Sequence, residues 1–257
     1  MKYLKEALKD SESLNVLDDT GEFARTDAGS ILTVARGAAH KYGVFHQTSN
    51  LLAAFPGVKG PQVVLQKRAA SKDIFPGVYT LSVGGHMGTD VDPRLSVARE
   101  ASEELGLTID PARLLNLGDS QKGLRNYLRI WQYLGTPLLQ MGDEGKLIAA
   151  PPDVPREIIG FVRSVSNATI PPRDTMPKGL FLDVLNREYC FFFLCVLLED
   201  EICGIKFSDG EAAGITFQPL DDFFATPDSD KTDLTHTLLA NVSDLKQTVE
   251  IACGGDL

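Results

Sequence analysis

The stretch GGHMGTDVDPRLSVAREASEELGL, from Gly84 to Leu107, constrains this chain more than any other. Its segment Leu95 to Leu105 reads as a helix. At about 100° per residue, Glu100, Glu103 and Glu104 fall within a sector of about 100°, while Leu95, Ala98 and Leu105 cluster on the opposite side. One face is therefore core and the other a cluster of carboxylates. Carboxylates at i, i+3 and i+4 repel one another by a few tenths of a kcal/mol per pair, so the helix alone gains nothing from them. A hard divalent cation reverses that sign. Oxygen-only ligands suit Mg²⁺ or Mn²⁺, and Mg²⁺ commonly works beside substrate phosphates. The plainer alternative is a solvated acidic face with Arg99 and Glu103 as an i,i+4 pair.

The strand before this helix ends on Gly84 and Gly85, a point where backbones can approach closely. Upstream, VFHQTSNLLAAF and PQVVLQKR are β-rich runs separated by FPGVKGP, whose Pro and Gly residues mark a turn, so they read as neighbouring strands. The first forty residues suggest a helix at Tyr3 to Leu8, a strand at Leu14 to Leu17, a turn at DDTGE and a helix at Ile31 to His40. LLNLGD reads as a strand. Between 119 and 180, Leu124, Tyr127, Leu128, Trp131 and Leu134 recur at helical spacing, as do Ile158, Ile159, Val162 and Val165. That segment is expected to be a helical insertion, with the prolines of AAPPDVP and IPPRDTMPKG at its joints. REYCFFFLCVLL reads as a strand buried on both faces, AGITFQPL as a shorter one, and Asp233 to Ile251 as one closing C-terminal helix. The expected fold class is α/β.

Composition excludes several classes. A chain of 257 residues with 43% apolar and 23% charged residues folds into one large or two small domains and is not disordered. Its formal charge of −10 repels nucleic-acid polymers and anionic membranes, so an anionic small molecule would need local cations or a metal. The longest apolar run, Tyr189 to Leu198, is too short to span a bilayer. The charged start MKYLKEALKDSES lacks the apolar core of a secretory signal, and a cytoplasmic location is expected. Cys190, Cys195, Cys203 and Cys253 have no C-x-x-C spacing and read as reduced, mostly buried thiols.

The wider spacing around the glutamates resembles the Nudix box, G-x5-E-x7-R-E-U-x-E-E-x-G-U with U aliphatic. Counting from Gly85, the chain supplies Arg99, Glu100, Ala101, Glu103, Glu104, Gly106 and Leu107 in register. Val91 stands where the pattern has its first Glu, flanked by Asp90 and Asp92. The run QKRAASKDIFPGVYTLSVGGHMG, preceded by HKYGVFHQ, further resembles the branch of that superfamily containing type 1 isopentenyl diphosphate isomerases and their hydrolase relatives.

This resemblance implies a Nudix-type α/β/α sandwich with a mixed sheet, in one domain over residues 1–257. It implies metal-dependent hydrolysis of a diphosphate, with Mg²⁺ or Mn²⁺ held by Glu100, Glu103, Glu104 and the Gly84 carbonyl, and with Arg99 orienting the glutamates. Arg68 and Lys72 match residues that hold the substrate diphosphate. Glu188 is the candidate for a further metal ligand, and Glu103, Glu100 and Glu188 remain alternatives for the general base. The isomerases need a catalytic Cys where Gly84 stands. They bind a metal through histidines and glutamates, and His40, His46, His86 and Glu188 fall at or near those places, with Asn186 replacing a second Glu. The alternative for His46 and His86 is that of hydrogen-bonded, substrate-facing walls. A prenyl-diphosphate isomerase and a catalytically silent binding module are the competing functions. The 119–180 insertion is expected to shape substrate choice, with homodimer formation as its other role.

Overall fold

A computed structural model describes residues 12–72, 74–118, 123–142, 146–165, 171–207 and 212–254; the expected helix at Tyr3 to Leu8 lies outside them. The strands in chain order are β1 (Ser13–Asn15), β2 (Thr33–Ala35), β3 (His46–Gly57), β4 (Gly60–Arg68), β5 (Tyr79–Thr80) and β6 (Val83–His86). They continue with β7 (Leu115–Asn116), β8 (Leu124–Tyr133), β9 (Thr136–Met141), β10 (Lys146–Ala149), β11 (Leu180–Val196) and β12 (Ala212–Pro219). The α-helices are α1 (Arg36–Tyr42), α2 (Pro93–Leu105), α3 (Arg156–Ser164), α4 (Glu199–Gly204), α5 (Leu220–Ala225), α6 (Asp233–Asn241) and α7 (Leu245–Ala252). None of the described helices is long and apolar enough to cross a membrane. The chain divides into two compact units, Met1–His46 with Arg125–Tyr189, and Gln47–Leu124 with Cys190–Leu257.

In the first unit the strand order is β10, β9, β8 and the first part of β11. Within the expected helical insertion the described residues 124–133, 136–141 and 146–149 are thus strands, and α3 is its described α-helix. The helical spacing of Leu124 to Leu134 is deceptive because β8 is buried on both faces. Leu128, Ile130 and Trp131 are all inaccessible, which erases the period-two signal. Leu134 and Gly135 form the two-residue turn to β9, with Tyr133 opposite Thr136 and φ of 49° and 86°. Both angles are positive, as the hairpin turn that matches strand twist requires. The spacing of Ile158, Ile159, Val162 and Val165 did report a helix: α3 lays Ile158 and Val162 on Trp131, Leu138, Val154 and Leu180.

The expected helix at Ile31 to His40 starts five residues later, at Arg36. Thr33 to Ala35 instead pair with Ser13 to Asn15, as β-branched Thr33 and Val34 favour. Gly43 closes α1 with φ 62° and ψ 39°, and the N–H of Val44 behind it donates to Ala39 O at 2.9 Å. A Cβ there would lie 2.5 Å from Leu185 Cδ2. Gly43→Ala therefore combines backbone strain with overpacking and is expected to cost about 1–3 kcal/mol in denaturant melts; an unchanged midpoint would refute this account of the α1 terminus.

The second unit carries the remainder of β11, then β3, β4 and β12, with β5 on β4, β6 on β3 and β7 on β11. Asn50 bonds Phe191 O and Leu197 N bonds Ala54 O, contacts that advance in the same sense along β3 and β11, so these strands run parallel. β4 is antiparallel to β3 and to β12, which makes the sheet mixed. Side chains alternate between its faces. Leu52, Ala54, Val63, Leu65, Cys190, Phe192 and Leu194 pack against Leu220, Phe223, Leu238, Leu245 and Val249 of α5, α6 and α7. From the other face Ser49 donates to Pro93 O, Gln66 to Glu104, and Phe193 lies under the Arg94 guanidinium, all toward α2. This unit is an α/β/α sandwich.

The expected single helix at 233–251 is two, α6 and α7, with Asp244 as the N-terminal cap residue of the second. Leu238, Val242, Leu245 and Val249 form one stripe in the same core, so hydrophobic periodicity passes through the break unmarked.

Candidate active site

In the second unit, α2 opens on Asp92, whose side chain accepts from Arg94 N, and closes on Gly106 at φ 66°. Between these caps the glutamates differ in setting. Glu104 is buried and accepts a 2.8 Å bond from Gln66 Nε2. Glu100 Oε1 lies 2.9 Å from Arg99 Nη2, and Glu103 Oε2 lies 2.9 Å from Arg99 Nη1. Arg99 Nε also reaches Asp90 Oδ2 at 3.5 Å. Asp90 thus tethers the loop to the helix where Val91, which is exposed, has no charge to offer.

The Gly pair has two separate roles. A Cβ on Gly85 would fall 2.4 Å from the Glu100 carboxyl carbon, so its absence lets that carboxylate lie against the β6 backbone. On Gly84 a Cβ would fall 2.6 Å from Asn50 Oδ1. Asn50 is fully buried, opposite Gly84 in register, and its Nδ2 donates to Phe191 O at 3.2 Å. Glu100, Glu103 and Glu104, with the Gly84 carbonyl one residue before the position that cradles Glu100, offer oxygen donors of the type that a hard divalent cation takes.

Arg68 ends β4, and Lys72 follows in the turn to β5. Arg68 Nε donates to Ile74 O at 3.0 Å and Lys72 N to Ala69 O, so both help shape the loop before Gly77. His86 ends β6, opposite Thr48. Gln66 and Asn50 escaped the sequence reading. Period-two alternation in β4 could have flagged Gln66 as a buried polar residue, whereas nothing local marks Asn50.

In the first unit His40, from α1, His46 and Glu188 each offer a ligand atom within 4.8 Å of one another. The ring centroids of His40 and His46 are 5.3 Å apart. Val44 O can only accept, so His46 Nδ1 carries the proton of their 2.8 Å bond, and Nε2 presents its lone pair 4.0 Å from Glu188 Oε1. Two lone-pair groups facing each other favour a cation. Asn186 Nδ2 and Asn126 Nδ2 donate to the two Glu188 oxygens at 2.6 and 3.3 Å and orient them. Asn126 was not expected from the sequence. Burial, followed by the charges of His46 and Arg36, pushes the His40 pKa down to about 3. Burial also lowers His46 to about 4, against the Val44 bond. Both imidazoles are neutral near pH 7, as metal ligation requires.

The same shifts predict a pH dependence. Unfolded histidines bind protons below about 6.5, while these two resist until about 4 and about 3, so the unfolded state holds more protons and stability falls over that interval. Chelator-treated protein should melt at lower temperature at about pH 5 than at about pH 7, with a smaller difference in His40→Gln. Equal differences in the two proteins would contradict it.

Residues 53–137 match the sequence model of the NUDIX domain, a span containing β6, α2 and every glutamate of the α2 cluster. Over this span the chain contains a NUDIX domain. The chain is also 39% identical, over 54 residues, to an isopentenyl-diphosphate Delta-isomerase of Clavibacter michiganensis subsp. michiganensis, a match covering 21% of the chain and 28% of that protein. Among solved structures, it is similar to DR0079 from Deinococcus radiodurans, with a TM-score of 0.45 and 15% identity over 90% of this chain and 99% of that one. A NUDIX hydrolase from Alicyclobacillus acidocaldarius gives 0.40 and 16%, covering 80% and 96%. The NUDIX domain of Shewanella oneidensis NrtR, complexed with ADP ribose, gives 0.36 and 12%, covering 87% of each chain.

Proposed function

We propose that the chain hydrolyses a diphosphate linkage in an organic diphosphate, with Mg²⁺ or Mn²⁺ held by Glu100, Glu103, Glu104 and the Gly84 carbonyl. The observation that carries this reading is the Glu100 carboxylate lying against a residue that cannot carry a side chain there. The cation, when bound, neutralises phosphate charge and lowers the pKa of a coordinated water. Arg99 holds Glu100 and Glu103 in a common orientation. Gln66 fixes the buried Glu104. Glu103, whose side chain is 55% exposed, is the carboxylate best placed to take a proton from attacking water. Arg68 and Lys72 supply the cations that a chain of charge −10 needs to attract a diphosphate.

A prenyl-diphosphate isomerase is the second reading, favoured by the His40, His46 and Glu188 set. It requires a thiol where Gly84 stands, and Asn50 Oδ1 fills the space in which that side chain would begin. Hydrolysis is preferred for that reason. A panel of nucleoside, sugar and prenyl diphosphates with Mg²⁺ or Mn²⁺ tests the choice. Release of phosphate or a monophosphate is expected, and Arg68→Lys should raise KM about tenfold on the best substrate. Double-bond migration without phosphate release would overturn hydrolysis.

A further inference from the structure

A cavity of about 330 Å³ in the second unit lies between β5, β12, α5 and the start of α6, outside the set of carboxylates on α2. Lys231 lines it with its side chain only 10% exposed, and its ammonium is 3.6 Å from Asp228 Oδ1 and makes no hydrogen bond among the described residues. Three N–H donors are therefore available at a buried charge. Hydroxyl accounting adds another donor. Thr232 Oγ1 is 2.9 Å from Thr80 Oγ1 and 3.2 Å from Thr235 Oγ1, and it also accepts from Thr235 N. One oxygen has only two lone pairs, so Thr232 donates to one of these hydroxyls, which then has its own O–H left over. Thr80 and Thr235 both line the cavity, so that O–H belongs to its wall.

The lining also holds an acceptor, the exposed carboxylate of Asp230, and two aromatic walls, Tyr79 and Phe223. An apolar ligand would strand the Lys231 ammonium. A simple anion would meet Asp230, with Asp228 already offsetting Lys231. A group that accepts from Lys231 and a threonine, donates to Asp230 and lays C–H surface on rings satisfies all of them, and hydroxyl groups on a ring do this. We infer that this cavity is a binding site for a polyhydroxylated ring of monosaccharide size, either a free sugar or the sugar portion of a larger ligand. The volume is at the lower end of ligand pockets, about 300–1,000 Å³.

Calorimetric or NMR titration of the whole chain with D-ribose, D-glucose, inorganic phosphate and a nucleoside diphosphate sugar tests this, with no dependence on turnover. A sugar is expected to bind, with Kd at least tenfold higher in Lys231→Gln and in Asp230→Asn. Asp230 is exposed, so its variant keeps the assay decisive should Lys231→Gln fail to fold. Equal affinity for free sugar and nucleoside diphosphate sugar identifies a free sugar as ligand; tighter binding of the latter, lost in Arg68→Gln, identifies the sugar portion of a diphosphate. Binding of phosphate alone, no binding of any sugar, or sugar binding unchanged in both variants would overturn the assignment.

Discussion

Glu104→Gln is expected to lower kcat by about two orders of magnitude at saturating Mg²⁺ or Mn²⁺, the scale of losing a key catalytic carboxylate. The variant isolates charge from shape. A glutamine retains the carbonyl oxygen that can accept from Gln66 Nε2, so the buried contact between β4 and α2 survives. The melting midpoint should consequently move by no more than about 3 °C, equivalent to ~1 kcal/mol for a chain of this size. Near-normal turnover with saturating metal would remove the α2 carboxylates from the mechanism.

Gly85→Ala should have a comparable effect on rate for a different reason. Its Cβ would fall 2.6 and 2.7 Å from the Glu100 oxygens, well inside contact distance. Gly85 is not among the glycines with positive φ, so alanine meets no backbone strain there. The obstructed atoms are the mobile end of a long side chain, which swings aside at small cost in stability but then leaves the position facing the β6 backbone. We expect kcat to fall about 100-fold with the fold intact. Gly84→Ala should show the opposite balance. Its Cβ meets Asn50, which is buried and held by Phe191 O, so about 1–3 kcal/mol of stability is at risk. Wild-type activity in Gly85→Ala would mean that Glu100 need not lie against that strand.

Much of the candidate site is legible in the chain because the residues proposed for it sit on one short segment. The helix read at Leu95 to Leu105 and the shared sector of Glu100, Glu103 and Glu104 depend on neighbours within a turn or two, whereas the caps at Asp92 and Gly106 came from the structure. Misreadings arose where burial hid the period. β8 is buried on both faces and imitated a helix, and the stripe through Leu238 and Val249 ran unbroken across two helices.

By itself the sequence determined the elements and residue types whose signals are local: the box helix, the paired strands β3 and β4, the turn glycines, and a net charge that demands local cations or a metal. Only the tertiary structure decided which distant groups meet. Gln66 finds Glu104, Asn50 occupies the space before Gly84, Asn126 and His46 converge on Glu188, and Thr80, Lys231 and Thr235 share one cavity. Those pairings are set by strand register and by the packing of helices on a sheet, which bring together residues far apart in the chain. No window of sequence contains them.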